Sequence, residues 1–144
     1  MSLRSVAAVL ASAVLIAGIP AARAHHSVAG EFDVHKLVEL KGVVTKVEWV
    51  NPHIYLWLDT RNAAGKVDSW HLECVPVGMA RKAGLSKTQL EGHGEVVSIV
   101  AYPARDGTKH LGFMTKLTFP DGHFFQFAAT ESNGQPSPGA AAPK

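Results

Sequence analysis

The sequence predicts a small all-β domain with one short helix, an OB-fold-like barrel of five to six strands. Three strand-like segments follow one another, a short helical segment comes next, and two or three further strand-like segments complete the domain. The first segment is long and changes the phase of its alternation, as a strand that serves both halves of a barrel does. An open antiparallel sheet or a sandwich of similar size is the alternative.

The first three strands are predicted at residues 38–50, 53–60 and 66–74, where apolar and polar residues alternate. Gly42 lies where the alternation of the first strand changes phase, which favours a bulge or a sharp bend at that position. Asn51-Pro52 ends this strand. The predicted faces are Val43, Thr45, Val47 and Trp49 in the first strand, and the aliphatic set Ile54, Leu56 and Leu58 in the second.

The second half of the domain supplies the helix and the remaining strands. Residues 76–83 predict a short helix, because Pro76 suits a first helical turn and Gly84 suits the position after a helix. Ser86 is suited to cap a second short turn through Leu90. Further strands are predicted at residues 94–102, 111–119 and 123–127, separated by turns that contain Gly or Pro.

Residues 1–24 have the three parts of a secretory signal. Arg4 supplies the positive start, residues 6–19 the apolar run, and Ala22-Arg23-Ala24 the cleavage site. The apolar run is too short to span a bilayer, which needs about 20 residues. The sequence therefore predicts cleavage after Ala24, a periplasmic protein without a membrane span, one domain over residues 25–130, and a disordered Pro/Gly/Ala tail over residues 131–144.

The charge balance excludes several classes of partner. The whole chain has 14 basic and 12 acidic residues, but Arg4 and Arg23 lie in the predicted signal, so the mature chain is formally neutral. A neutral chain argues against nucleic acid and against a polybasic membrane surface. Cys74 is the only cysteine, which excludes an intramolecular disulfide. Its alternation with Trp70 and Leu72 predicts a buried thiol, with a metal-ligating or dimer-forming thiol as the alternative.

Several motifs along the folded part resemble one known family. They are Ala24-His25-His26-Ser27, Gly42-Val43-Val44, Glu48-Trp49-Val50-Asn51-Pro52-His53, Trp70-His71-Leu72-Glu73 and Tyr102-Pro103-Ala104-Arg105-Asp106-Gly107. With these motifs the chain resembles the exported bacterial family called domain of unknown function 6152. The resemblance implies a small periplasmic domain and supplies no activity.

The predicted cleavage makes His25 the first residue of the mature chain, and this position favours metal binding. An N-terminal amine has an ordinary pKa of about 7.7–8.0, low enough to bind a metal near neutral pH. The amine and the imidazole of one residue can chelate one ion, and a second imidazole completes the site. Copper suits these nitrogen donors best, with zinc and nickel as alternatives. His26 offers another donor.

His53 is the leading candidate for the second imidazole. It follows the break at Asn51-Pro52, and its face of the second strand is not the aliphatic one. His71 and Glu73 share one face of the third strand, opposite Leu72 and Cys74. Pairing of the two strands as a hairpin predicts that His53, His71 and Glu73 converge on one surface. The candidate metal residues are therefore His25, His26, His53, His71 and Glu73.

Three hypotheses for function follow from these residues. The first is a periplasmic binding protein that holds a metal ion, copper before zinc or nickel, at the N-terminal histidines. The second is an OB-type module that binds a small ligand or a protein without metal, and the third is copper-dependent redox chemistry. The sequence has no nucleophile elbow, phosphate loop or paired-cysteine motif, which favours a binding protein over an enzyme.

Overall fold

The computed structural model describes residues 27–92 and 94–127. Their helices are α1 (Val28–Glu31), α2 (Val77–Lys82) and α3 (Lys87–Glu91). Their strands are β1 (Val38–Trp49), β2 (His53–Arg61), β3 (Val67–Pro76), β4 (Val96–Pro103), β5 (Leu111–Thr118) and β6 (Phe124–Gln126). Each strand lies within two residues of its predicted bounds. The predicted signal peptide and C-terminal tail lie outside the described residues.

The strands form a closed barrel with one strand added. Their order is β3-β2-β1-β4-β5-β6, and a further pairing of β3 with β5 closes the first five strands into a ring. All pairs are antiparallel except β3 with β5, which are parallel. This order, with the helices between β3 and β4, is that of an OB fold. The predicted fold class is confirmed, and the closing pair rules out an open sheet.

β1 serves both halves of the barrel, as its length predicted. Its first half pairs with β4, and its second half pairs with β2. The bulge predicted at Gly42 is wrong, because the register shifts between Val44 and Lys46 instead. Gly42 and Val44 are buried before the shift, whereas Val47 and Trp49 pack against the core after it. The predicted face is therefore correct only for Val47 and Trp49.

The core is the interior of the barrel. The aliphatic face predicted for β2 is confirmed, because Ile54, Leu56 and Leu58 have no solvent exposure. Leu72 and Cys74 of β3 face the same interior. This alternation fixes which side chains of β2 and β3 remain on the outer surface, since neighbouring residues of a strand point to opposite faces.

The helices are short and lie at the ends of strands. α3 begins with the predicted cap: the backbone amide of Gln89 donates to the Ser86 hydroxyl, and the Ser86 amide donates to the Gln89 side chain. This reciprocal arrangement is a capping box. Among residues 27–92 and 94–127, no helix is long and apolar enough to cross a membrane.

Candidate functional site

The outer face of β2 and β3 carries the polar and aromatic residues singled out in the sequence. The antiparallel register sets Tyr55 opposite Glu73 and Trp57 opposite His71. His53 lies one pleat beyond Tyr55 on the same face of β2. The predicted convergence of His53, His71 and Glu73 on one surface is therefore what the register produces.

His53 and Glu73 are in direct contact on this face. Nδ1 of the His53 ring meets a carboxylate oxygen of Glu73, and the two side chains are only 25% and 15% exposed. In the neutral imidazole, the nitrogen that faces a carboxylate carries the proton. The other ring nitrogen, Nε2, then keeps its lone pair. The contact thus fixes the tautomer of His53 and limits the rotation of its ring.

Tyr55 lies between carboxylates of three different elements. Glu48 of β1 and Glu73 of β3 are its neighbours in register on either side. Burial raises the pKa of the Tyr55 phenol, and the charges of Glu73, Glu31 and Glu48 raise it further. Glu31 belongs to α1, so the segment before β1 is close enough to act on this residue. Of these carboxylates, Glu48 is paired with the Lys46 ammonium at 2.6 Å and Glu73 is in contact with His53.

Trp57 is the middle residue of a row of paired residues that runs across β1, β2 and β3, next to the row centred on Tyr55. Lys46 of β1 places its ammonium 4.2 Å from the centre of the indole ring. His71 of β3 stacks on Trp57 with 4.6 Å between ring centres and 19° between ring planes. Because β1 and β3 flank β2 on opposite sides, Trp57 is occupied from both neighbouring strands. Since Lys46 and His71 both pack on its ring, Trp57 offers no open aromatic surface on which a ligand could stack.

The segment before β1, residues 27–33, lies across the outside of the barrel, and we call it the strap. Its backbone pairs with the turn that follows β4. The amide of Asp33 donates to the Pro103 carbonyl at 2.9 Å, and the amide of Arg105 donates to the Glu31 carbonyl at 2.9 Å. Phe32 and Ala104 form an isolated antiparallel bridge between these two bonds.

The side chain of Phe32 brings the strap beside Glu73. Its ring is 3% exposed and packs on Phe113 of β5, with 5.7 Å between ring centres. Phe113 is the register partner of Glu73 in the parallel pair of β3 and β5. Residues that pair in adjacent strands share a face of the sheet. The strap therefore covers the outer face directly next to the His53–Glu73 pair.

Comparison with protein families identifies the chain. The model of the family of unknown function DUF6152 matches residues 12–113, more than half of the 144 residues. The chain belongs to this family. Searches of curated proteins and of solved structures give no match. The DUF6152 match includes the strap, His53 and Glu73, and membership in this family of unknown function assigns no activity.

The outer face of this DUF6152 domain holds part of the predicted metal set. Within residues 27–92 and 94–127, no group of three or more His, Cys, Asp or Glu side chains is arranged to hold a metal ion. His53 and Glu73 are together, and His71 is on the same face but stacked on Trp57. His25 and His26 lie outside the described residues. A metal at His53 would thus require donors from beyond this part of the chain.

Sequence reasoning missed the strap, because residues 25–35 have little periodicity. The available signal was Phe32, a large apolar residue between Glu31 and Asp33. A lone aromatic residue among charged neighbours is compatible with burial against a distant element, but its partner cannot be read from local sequence. The motif at residues 102–107 also gains a role, since its backbone receives the strap.

Cys74 is a core residue, as its alternation predicted. Its side chain is 1% exposed, and burial raises the pKa of its thiol far above the ordinary value. It points away from the outer face that carries His71 and Glu73. A buried protonated thiol is a poor nucleophile and a poor metal ligand.

The thiol of Cys74 should be unreactive in the folded protein. We expect a colourimetric thiol reagent to label one thiol per chain in concentrated guanidinium chloride and none within minutes under native conditions. Labelling should accelerate with denaturant in step with unfolding followed by circular dichroism. Rapid labelling of the native protein would show that Cys74 is accessible and would contradict its place in the core.

Proposed function

We propose that this protein is exported to the periplasm, loses its signal peptide after Ala24, and holds a copper ion through His25 and His53. The amine and imidazole of His25 supply two nitrogen donors, and Nε2 of His53 supplies the third. His26 is the alternative donor from the same end of the chain. Such nitrogen donors favour Cu²⁺, with Zn²⁺ and Ni²⁺ as weaker competitors.

The observation that carries the proposal is the contact between His53 and Glu73. Metal-binding histidines almost always donate their other ring N–H to a carboxylate, a carbonyl or water, which orients the ring and raises its basicity. His53 has this partner at Nδ1, in a pair mostly withdrawn from solvent. In this arrangement Glu73 is a positioning residue that acts through His53, and Nε2 is the atom that binds the metal.

Two further features support the proposal. The first is that the carboxylates of Glu73 and Glu31 both raise the pKa of Tyr55, which places negative charge near His53. The second feature is the sequence position of the two histidines, close to the strap that packs on the register partner of Glu73. The two histidines directly precede Ser27 in the sequence.

Copper titration of the mature protein, starting at His25, tests the proposal. We expect sub-micromolar binding of one Cu²⁺ per chain, followed by isothermal titration calorimetry or by competition with a chromogenic chelator. Because it removes a ligand, His53→Ala should weaken binding by at least about a hundredfold. Glu73→Gln should weaken it by about 10- to 100-fold, because it removes the carboxylate that orients the ring.

The matched control is His123→Ala, which removes an imidazole from the turn between β5 and β6, where His123 pairs with Asp121. Its copper affinity should equal that of the parent protein. A parent protein without copper binding, or a His53→Ala variant with unchanged affinity, would remove the proposal.

A non-metal ligand module is the second candidate, and one observation favours it. An open groove of about 400 Å³ lies between the strap and the turn after β4. This volume falls in the range of small-ligand sites. The groove is lined by Gly30, Glu31, Phe32, Ala104, Arg105, Asp106 and Leu111. A ligand that binds chelator-treated protein as well as untreated protein, and that shifts the amide resonances of this lining, would favour this candidate.

A further inference from the structure

We infer that the groove between the strap and the turn after β4 binds a short zwitterionic peptide with apolar side chains. Arg105 would hold the carboxylate of this peptide, and Asp106 would attract its ammonium group. Phe32 and Leu111 would form the apolar floor. This inference rests on the second candidate function, the ligand module, and supplies its ligand class. It does not depend on copper, because all residues that line the groove lie among the described ones.

The turn that carries the two charged residues is fixed by backbone hydrogen bonds. The Arg105 amide donates to the Glu31 carbonyl at 2.9 Å, which ties the turn to the strap. The Ala104 amide donates to the Leu111 carbonyl at 3.0 Å, which ties the turn to β5. Both walls of the groove are therefore formed before a ligand arrives, and preformed walls lower the entropic cost of binding.

Arg105 is the cation of the groove, and its charged group is available to a ligand. Its side chain is exposed, and among residues 27–92 and 94–127 its guanidinium takes part in no hydrogen bond, ion pair or ring contact. A guanidinium is charged at any ordinary pH and presents its N–H donors as a planar fork that fits a carboxylate. Arg105 therefore offers an unused recognition group for a carboxylate at the edge of an apolar floor.

Asp106 brings negative charge to the same turn. The backbone amide of Thr108 donates to Oδ1 of Asp106 at 2.9 Å, and this bond holds the pKa of the carboxyl below its ordinary value. The carboxylate is consequently ionised at neutral pH, and it has further acceptor sites for an ammonium group. Glu31 lines the groove from the strap side. A lining with one cation and two carboxylates complements a ligand that carries both charges and repels a polyanion.

The floor of the groove is apolar and continuous with the outer face of β3. Leu111 pairs with His71 in the parallel pair of β3 and β5, and Phe32 packs beside it on Phe113. Such a floor favours a ligand with apolar side chains over an inorganic ion. The volume of about 400 Å³ suits a dipeptide with leucine-sized side chains. In OB folds, the loop between the fourth and fifth strands borders the ligand surface.

The test titrates the mature protein with dileucine after chelator treatment and follows the backbone amide resonances. We expect a dissociation constant on the order of 0.1 mM, with shifts confined to the lining of the groove. N-acetyl-dileucine lacks the ammonium group, and dileucine amide lacks the carboxylate. Because each has lost one charged group that the lining recognises, each should bind about tenfold more weakly than dileucine.

Variants of the turn assign the two charged contacts. Arg105→Gln should weaken dileucine binding by about tenfold, because it removes both the charge and the fork. Asp106→Asn should weaken it by about three- to tenfold and keep the turn, since the amide oxygen of Asn can still accept from the Thr108 amide. The matched control is Arg81→Gln, which removes an exposed arginine of α2 outside the lining and should change nothing.

Three results would overturn this inference: no dileucine binding, equal affinity for dileucine and N-acetyl-dileucine, or equal affinity of Arg105→Gln and Arg81→Gln for dileucine. A failure of the ligand module itself is distinguishable from these results. A ligand of another class that shifts the amides of the lining would keep the module and replace only its ligand class. Copper titration of the same protein reports separately on the first candidate function.

Discussion

Replacing Gly42 by alanine will destabilise the barrel by about 3 kcal/mol, the upper part of the range for overpacked interiors. A Cβ atom at this position would lie 2.8 Å from the carbonyl carbon of Asp59 and closer still to its oxygen. These are backbone atoms of β2, which cannot rotate away as a side chain would. Gly42 also pairs with Thr60 on one side and Val97 on the other. A shift of β1 away from β2 would therefore disturb the pairing of β1 with β4.

Gly78→Ala is the matched control, because the same methyl group is added where no atom lies within 4 Å. Gly78 belongs to α2, so alanine should be neutral or should raise the free energy of unfolding by up to about 1 kcal/mol. Urea unfolding followed by tryptophan fluorescence measures both changes. If Gly42→Ala unfolds at the same urea concentration as the parent, the close approach of β1 and β2 at this residue is wrong.

The same glycine shows where sequence interpretation reaches its limit. Glycine within a strand marks either a bulge or a close backbone approach, and the two have the same local pattern. The alternation of Val38 and Leu40 before the glycine is out of phase with that of Val43 and Val47 after it, which favoured a bulge or sharp bend at Gly42. The structure has the close approach at Gly42 and the register shift between Val44 and Lys46. The choice between a bulge and a close approach depends on which strands pair with β1 at Gly42, and the local sequence does not contain that information.

β2 and β3 could be predicted because the alternation of apolar and polar residues that defines each strand is present in its own short segment. Strict alternation identified Ile54, Leu56 and Leu58 as core residues, and all three are fully buried. A short hairpin then determines which residues of the next strand lie opposite. Pairing of Tyr55 with Glu73 follows from this register and brings Glu73 within reach of His53.

Two properties of the candidate site could not be predicted. Whether a carboxylate faces Nδ1 or Nε2 of His53 depends on side-chain rotation, which residue order does not encode. The docking of the strap depends on Phe32 and Phe113, which are far apart in the sequence but pack together. Phe32 bridges to Ala104, whose amide donates to the Leu111 carbonyl of β5, so the contact depends on the pairing of β4 with β5.

The proposed site predicts that one extra residue before His25 will lower copper affinity by about a hundredfold, or roughly 2.7 kcal/mol. The extension converts the N-terminal amine into a peptide amide, which has no available lone pair at neutral pH. All imidazoles remain, so the variant isolates the contribution of the amine. Parallel titrations of the mature protein and of a variant with one added glycine measure the difference. One glycine added after Lys144 is the control and should change nothing.

The pH dependence of binding separates the amine from the imidazoles. An amine must lose its proton to bind a metal, so affinity should rise as pH increases through about 7.7–8.0. The glycine-extended variant should lack this rise and keep only the pH dependence that its imidazole ligands cause. Equal affinities and identical pH profiles for the two proteins would mean that the site uses imidazoles alone. In that case the position of signal cleavage would have no bearing on copper binding, and the chelate at His25 would be wrong.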